Sequence, residues 1–374
     1  MDADEITIYR NLQKHLDELP IGFPPTNSGV ELKLLKYLFT LEEAEIATKL
    51  SFAYEPIETI FTRVKESNSA LTELEALEIL EECVRKGTIH YKMEGEQKLY
   101  ANAMLVIGIF EYQVNKLTME FMDLMKQYGQ EVFDVELFRT RTSQTRIIPV
   151  EKSLNHENIV ETYSNVREII KNADEPIAVT NCVCRQKQDV RRERDPCKLT
   201  DRYETCLGFG HSAQMYIDQG WARRIKKEEA LEILDKNEET GLILQPGNAI
   251  RPNFICSCCG CCCGLLRDLK KMNNPARLLK TNYIAEIDTE LCTGCGVCVN
   301  RCQMDALSLI DDISTVNRKK CLGCGLCVVT CSEEAIKLRN KEKEFTPPGT
   351  IDDLNSLILT KKKELINKYE KLKD

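Results

Sequence analysis

"CTGCGVCVNRC", residues 292–302, recurs 29 residues later as "CLGCGLCVVTC", residues 321–331. Each copy spaces its cysteines C-x2-C-x2-C-x3-C, with Cys292, Cys295, Cys298 and Cys302 in the first and Cys321, Cys324, Cys327 and Cys331 in the second. The flanks repeat as well, "DALSL" following the first run and "EAIKL" the second. A unit repeated at a fixed offset predicts two similar half-modules stacked about a pseudo-two-fold axis. Three thiols separated by pairs of residues fit on one tight loop. Glycines 294, 296, 323 and 325 allow that loop to wrap closely enough for amide N–H groups to point at the sulfurs.

Structural zinc prefers paired C-x2-C hooks separated by a longer loop, so this spacing favours cubane clusters. The region 282–340 resembles the bacterial two-4Fe-4S ferredoxin family, with all eight ligand positions present. In that family the fourth cysteine of each run ligates the other cluster. The resemblance therefore implies two 4Fe-4S clusters, one on Cys292, Cys295, Cys298 and Cys331 and the other on Cys302, Cys321, Cys324 and Cys327. It implies one-electron transfer to or from a redox partner protein. The sequence departs from the family where Gln303 and Ser332 replace the usual proline after the fourth cysteine, which leaves ligation intact.

Nineteen cysteines lie in the 374 residues. Setting aside these eight and Cys83, alone in an expected helix, leaves ten. Cys182, Cys184, Cys197 and Cys206 are spread over "NCVCR", "DPC" and "ETCL", whereas Cys256, Cys258, Cys259, Cys261, Cys262 and Cys263 crowd into "ICSCCGCCCGLL", residues 255–266. Neighbouring cysteines project in different directions in most backbone conformations, so the six are expected to serve different partners. One or more additional iron-sulfur clusters among the ten is the favoured reading; zinc, redox-active vicinal thiols and structural cysteines are the alternatives. The succession of "NCVCR", a "CCGCCCG" run and a two-cluster module resembles iron-sulfur proteins of anaerobic metabolism. That resemblance brings no defined catalytic activity.

The net charge of -8 is uneven. Residues 1–110 hold 11 Lys or Arg against 19 Asp or Glu, and the remainder balances. The acidic start "MDADEITIYR" is unlike a secretory signal, and the longest apolar run, "AMLVIGIF", falls short of the roughly 20 residues that span a bilayer. A cytoplasmic location with no transmembrane segment is expected, where cysteines at ligand spacing point to metal or redox chemistry. Neither a dinucleotide fingerprint nor a phosphate loop is present.

Near the N-terminus, Thr40 with Glu43 and Thr72 with Glu75 form capping-box pairs that predict helix starts. Gly87 predicts a stop, and "TIHYKM" and "KLYANAM" about Glu94–Gly95 predict a hairpin. Helices followed by a hairpin resemble a winged helix-turn-helix module. Duplex binding requires Lys and Arg to neutralise phosphates, and "PIETIFTRVKES" has Glu55 before it and Glu58 and Glu66 inside it, against Arg63 and Lys65. Protein docking is therefore preferred over DNA.

Farther along, "LVIGIFEYQVNKLTMEFMDLMKQYG" reads as one long helix ending at Gly129, and "NIVETYSNVREII" as another. "IAV" and "LILQPG" read as strands, and "KEEALEILDKNEET" as a helix before Gly241. The basic stretch around Arg185, Lys187, Arg191, Arg192, Arg194 and Lys198 could dock an anion or form a solvated loop, since Asp189, Glu193 and Asp195 interleave. After 340 comes a charged linker and a terminal amphipathic helix.

The expected fold class is α+β, with a winged-helix-like domain over 1–104, a cysteine-rich mixed α/β domain over 105–281, a ferredoxin-like domain over 282–340 and a tail over 341–374. The expected function is electron transfer, as an oxidoreductase subunit with a further cluster in the middle domain. The alternative is a redox-responsive DNA-binding regulator.

Overall fold

The computed structural model describes residues 1–67, 70–155, 158, 161–191 and 195–371. The chain divides into two units, one of residues 1–140, 218–221 and 355–374, the other of residues 141–217 and 222–354. The fold is mixed α and β, with several small sheets.

In the first unit, helices Ala3–Asp17, Val30–Leu38, Leu41–Ala47, Ile57–Ser67 and Glu73–Lys86 precede the hairpin Ile89–Glu94 and Gln97–Asn102. Both capping boxes form: Thr40 and Thr72 each accept from the backbone N–H of the glutamate three residues on, and that glutamate accepts in return. Gly87 ends its helix at φ 75°, a left-handed cap that glycine adopts without steric cost. Apolar residues at helical spacing, among them Leu12, Leu34, Leu35, Ile60 and Leu80, are fully buried. Burial also pushes the Cys83 thiol up to about 12, consistent with an inert core side chain. Late in the chain, Lys362 enters this unit and donates to the carbonyls of Asp17 and Leu19 at 2.6 and 2.9 Å, with Glu136 3.2 Å away.

The long helix expected over 105–129 is broken. Asn115 takes a left-handed conformation at φ 66°, and Thr118 caps a new helix, Met119–Tyr128, by accepting from the N–H of Phe121. A cap and a left-handed residue together outweigh the apolar periodicity. Gly129 stays right-handed and the chain winds on through Phe133. Similarly, only Val166–Lys171 of the next expected helix is α-helical, after a turn at Thr162–Ser164; Ile159 and Val160 lie outside the described residues.

The second unit is built on a five-stranded antiparallel sheet in the order Ala222–Ile225, Ile177–Asn181, Glu204–Phe209, Phe254–Cys258, Ile243–Pro246. Period-2 alternation sends Ile177, Val179, Leu207, Phe209 and Ile255 to one face, where they form a core with Ile169, Ile170, Ala230 and Leu234 of helices Val166–Lys171 and Lys227–Thr240. Beyond the sheet, Tyr283–Ile287 pairs with Ile336–Asn340 and Leu307–Ile310 with Ile313–Val316. Each half of this segment runs strand, cysteine loop, helical turn and strand, and the outer and inner strands pair across the repeat. None of the helices among the described residues is long and apolar enough to cross a membrane.

Candidate metal centres

The alternation that buries Ile255 and Leu207 places Cys206, Cys256 and Cys258 on the sheet face opposite the helices. The register Leu207↔Ile255 brings Cys206 beside Cys256. At the end of its strand, Cys182 becomes the N-cap residue of helix Val183–Val190, with Cys184 in the first turn; Cys263 caps Gly264–Lys270 in the same way. Each of these six thiols interacts with two others, so that they close a ring running Cys182, Cys184, Cys263, Cys258, Cys256, Cys206 and back to Cys182. The hydrogen bonds from their neighbours hold Cys184 and Cys206 well below the ordinary thiol range. Hydrogen bonds to adjacent thiols push Cys182, Cys256, Cys258 and Cys263 up. Backbone N–H groups of Gly264 and Ser257 add donors to Cys184 and Cys206.

The remaining four thiols gather separately. Cys197, Cys259, Cys261 and Cys262 have all their sulfurs within 4.8 Å of one another, and Cys259 and Cys262 lie against Leu242 and Leu199. Sγ of Cys197 is 3.7 Å from that of Cys259 and 3.9 Å from that of Cys261, and the Cys261 and Cys262 sulfurs are 3.6 Å apart. A hydrogen bond to Cys261 pushes Cys259 up to about 12, whereas Cys261 is held far down by donors from Cys259 and Cys262. Adjacent Cys258 and Cys259 diverge as expected, one to each group, and so do Cys262 and Cys263. Cys261 and Cys262 do not: the tight turn after Gly260 brings both sulfurs into the same group.

Arg185 stands between the two groups. It is 2% exposed and donates to Oγ1 of Thr205 at 2.6 Å and to the carbonyl of Ser257 at 3.2 Å, with no carboxylate partner among the described residues. Burial works against its charge, and the surrounding Cys182, Cys206, Cys259 and Cys197 sulfurs more than offset that. A buried cation is stable only beside compensating negative charge, so this guanidinium fits sulfurs that are thiolates. The basic stretch is thus not a solvated loop at residues 183–190, which are helical, and Arg191 is buried too. Arg192, Glu193 and Arg194 lie outside the described residues. His211 is exposed at the start of helix Gly210–Asp218.

In the repeat, Gly294 and Gly323 have φ of 68° and 62°, and a Cβ on either would collide with the backbone carbonyl of Asp312 or Tyr283. Only glycine satisfies both demands. Ser314 donates its N–H to Sγ of Cys292 at 3.4 Å, and its Oγ lies 3.0 Å from Sγ of Cys298; Ala306 donates to Sγ of Cys302 at 3.2 Å. The backbone N–H groups of Ser314 and Gly294 hold Cys292 down, while burial pushes Cys302 up and Cys324 up to about 12. Such hydrogen bonds are the means by which a protein tunes an iron-sulfur site. Cys295 is exposed, whereas Cys298, Cys321 and Cys327 are buried.

The repeat contacts the rest of this unit at several points. The backbone N–H of Gly260 donates to Oε1 of Gln303 at 3.0 Å, and Gly260 packs so closely on the Gln303 carbonyl that a Cβ would clash. Arg301 donates to the carbonyls of Thr240 and Glu239 at the C-terminus of helix Lys227–Thr240, where a cation also meets the helix dipole. Sequence reasoning missed Ser314 and the inward turn of Arg185. Gln303 was visible only as a departure from the usual proline.

The 4Fe-4S binding domain family matches residues 285–308 and 314–337, one copy on each half of the repeat. No curated protein and no solved structure matches the chain. Residues 285–337 therefore carry two 4Fe-4S binding motifs, and the chain is an iron-sulfur electron-transfer protein.

Proposed function

We propose that the chain is an oxidoreductase subunit that moves electrons between a surface partner and a further iron-sulfur site in the six-thiol ring. Cys292, Cys295, Cys298 and Cys331 would hold one ferredoxin cluster, and Cys302, Cys321, Cys324 and Cys327 the other. When bound, such clusters supply reversible one-electron storage at potentials that the surrounding donors adjust. The observation that carries this reading is the Gly260–Gln303 hydrogen bond, because Gln303 directly follows Cys302 and Gly260 lies within the thiol-dense loop. It supports a continuous covalent and hydrogen-bonded route between the two cysteine-rich regions.

The opposite end of the route is at the surface. Cys295 is exposed, and Leu291, Val297, Leu309 and Ile310 nearby leave large apolar side chains in solvent. Leu309 lies so near the cluster loop that a Cβ added to Gly296 would be in van der Waals contact with it. Exposed apolar groups beside a cluster loop fit a docking site for a redox partner protein. Duplex binding has less support: Arg63 of helix Ile57–Ser67 is paired with Glu55 at 2.6 Å, and Lys65 lies over the Phe61 ring.

The test is a redox titration of the anaerobically purified chain, followed by low-temperature EPR. A third signal, magnetically coupled to the ferredoxin pair and lost on Cys206→Ala, is the expected outcome. Two signals unaffected by Cys206→Ala would overturn the ring's role. Salt-sensitive DNA binding that changes with cluster oxidation would favour the regulator instead.

A further inference from the structure

We infer that Cys197, Cys259, Cys261 and Cys262 hold a single tetrahedral metal ion, zinc or mononuclear iron, as a site separate from every iron-sulfur cluster. The inference goes beyond the electron-transfer reading and does not depend on it.

Size is the first argument. Four thiolates about 2.3 Å from one ion occupy the corners of a tetrahedron with edges of about 3.8 Å. Sulfur–sulfur separations of 3.6, 3.7 and 3.9 Å within the quartet match that edge, and all four sulfurs stay within 4.8 Å. A cubane assigns each thiolate to a different iron and so holds its ligand sulfurs farther apart. Among the described residues, this quartet is the group gathered closely enough for one ion, and the eight ferredoxin thiols form no such group. The same chain thus presents two kinds of cysteine site, differing in size.

Environment is the second. Cys259 and Cys262 are each 1% exposed and rest on Leu242, so water is kept from the centre of the quartet. Arg185 lies beside Cys197 and Cys259, which places a permanent positive charge next to sulfurs that must be deprotonated to bind metal. The backbone N–H of Lys198 donates to Cys261, and Gln188 fixes the loop by donating to the Cys261 carbonyl at 2.9 Å. Four ligands leave an all-thiolate tetrahedron closed, as in structural sites. Its role is to tie the segment containing Cys197 to the 259–263 loop, from which Cys258 and Cys263 reach the six-thiol ring.

Metal and sulfide analysis of the full chain tests this. Zinc, iron and acid-labile sulfide are measured per chain after anaerobic purification of the wild type, Cys197→Ser and Cys262→Ser. The expected result is that each variant loses about one zinc or one iron while sulfide and the EPR signals of the reduced clusters are unchanged. Loss of several irons together with sulfide would overturn the inference in favour of a bridged cluster. Unchanged metal content, or a Cys261–Cys262 disulfide in the wild type, would overturn it in favour of metal-free thiols. X-ray absorption at the edge of the ion found, on the wild type, guards against variants that fail to fold. If the ion is zinc, four sulfurs at about 2.3 Å with no neighbouring metal are expected, and a metal neighbour would contradict the site.

Discussion

Gly260 donates its backbone N–H to the side-chain carbonyl of Gln303 at 3.0 Å, and this bond joins the densest cysteine loop to the residue after Cys302. Gln303→Leu keeps an apolar stem but leaves that half-buried N–H without its acceptor. It is expected to cost about 1–2 kcal/mol in chemical denaturation and to slow internal electron exchange after pulsed reduction. Wild-type stability and an unchanged exchange rate would show that the contact is incidental.

Ser314 serves two sulfurs, Cys292 through its N–H and Cys298 through its hydroxyl. Ser314→Ala retains the first donor and removes the second. Because a donor to a thiolate favours the reduced, more negative cluster, the potential of the cluster on that loop should fall by some tens of millivolts. Spectroelectrochemistry measures it, and a rise would contradict the assignment.

Arg185 is buried among sulfurs of both middle-domain groups. Arg185→Met removes a positive charge that opposes oxidation. The midpoint potential of the ring site should fall, with little dependence on ionic strength because the charge is shielded from solvent. A shift that disappears in salt would indicate an exposed charge.

Lys362 lies 3.2 Å from Glu136, whose side chain is 4% exposed. Lys362→Met removes one of two cations from that buried carboxylate, Arg139 staying 3.3 Å away, together with the donor to the Asp17 and Leu19 carbonyls, at an expected cost of about 1–2 kcal/mol in urea denaturation. Pairing it with Glu136→Gln should recover part of the loss. A double-mutant cycle showing no coupling would contradict this account.

Much of the fold was legible where local chemistry acts alone. The Thr40–Glu43 and Thr72–Glu75 boxes, the Gly87 and Gly241 stops and the hairpin about Gly95 each depend on residues a few positions apart. The 105–129 segment was misread because apolar spacing says nothing of Asn115 turning left-handed or Thr118 starting a new helix. The eight repeat cysteines were recognisable by spacing because their loops are local. The division of the other ten into six and four was not, since Cys182 and Cys206 meet Cys256 only through the register of three strands. Arg185 read as one charge in a basic stretch, whereas its burial rests on hydrogen bonds to Thr205 and Ser257, which lie far from it in sequence on two strands.

The central claim is that the chain holds iron-sulfur clusters beyond the two of its ferredoxin repeat. Iron and acid-labile sulfide per chain after anaerobic purification, counted alongside low-temperature EPR, test it most directly. About twelve irons or more, with matching sulfide and a third paramagnetic signal, are expected. About eight irons with only two signals would contradict the claim.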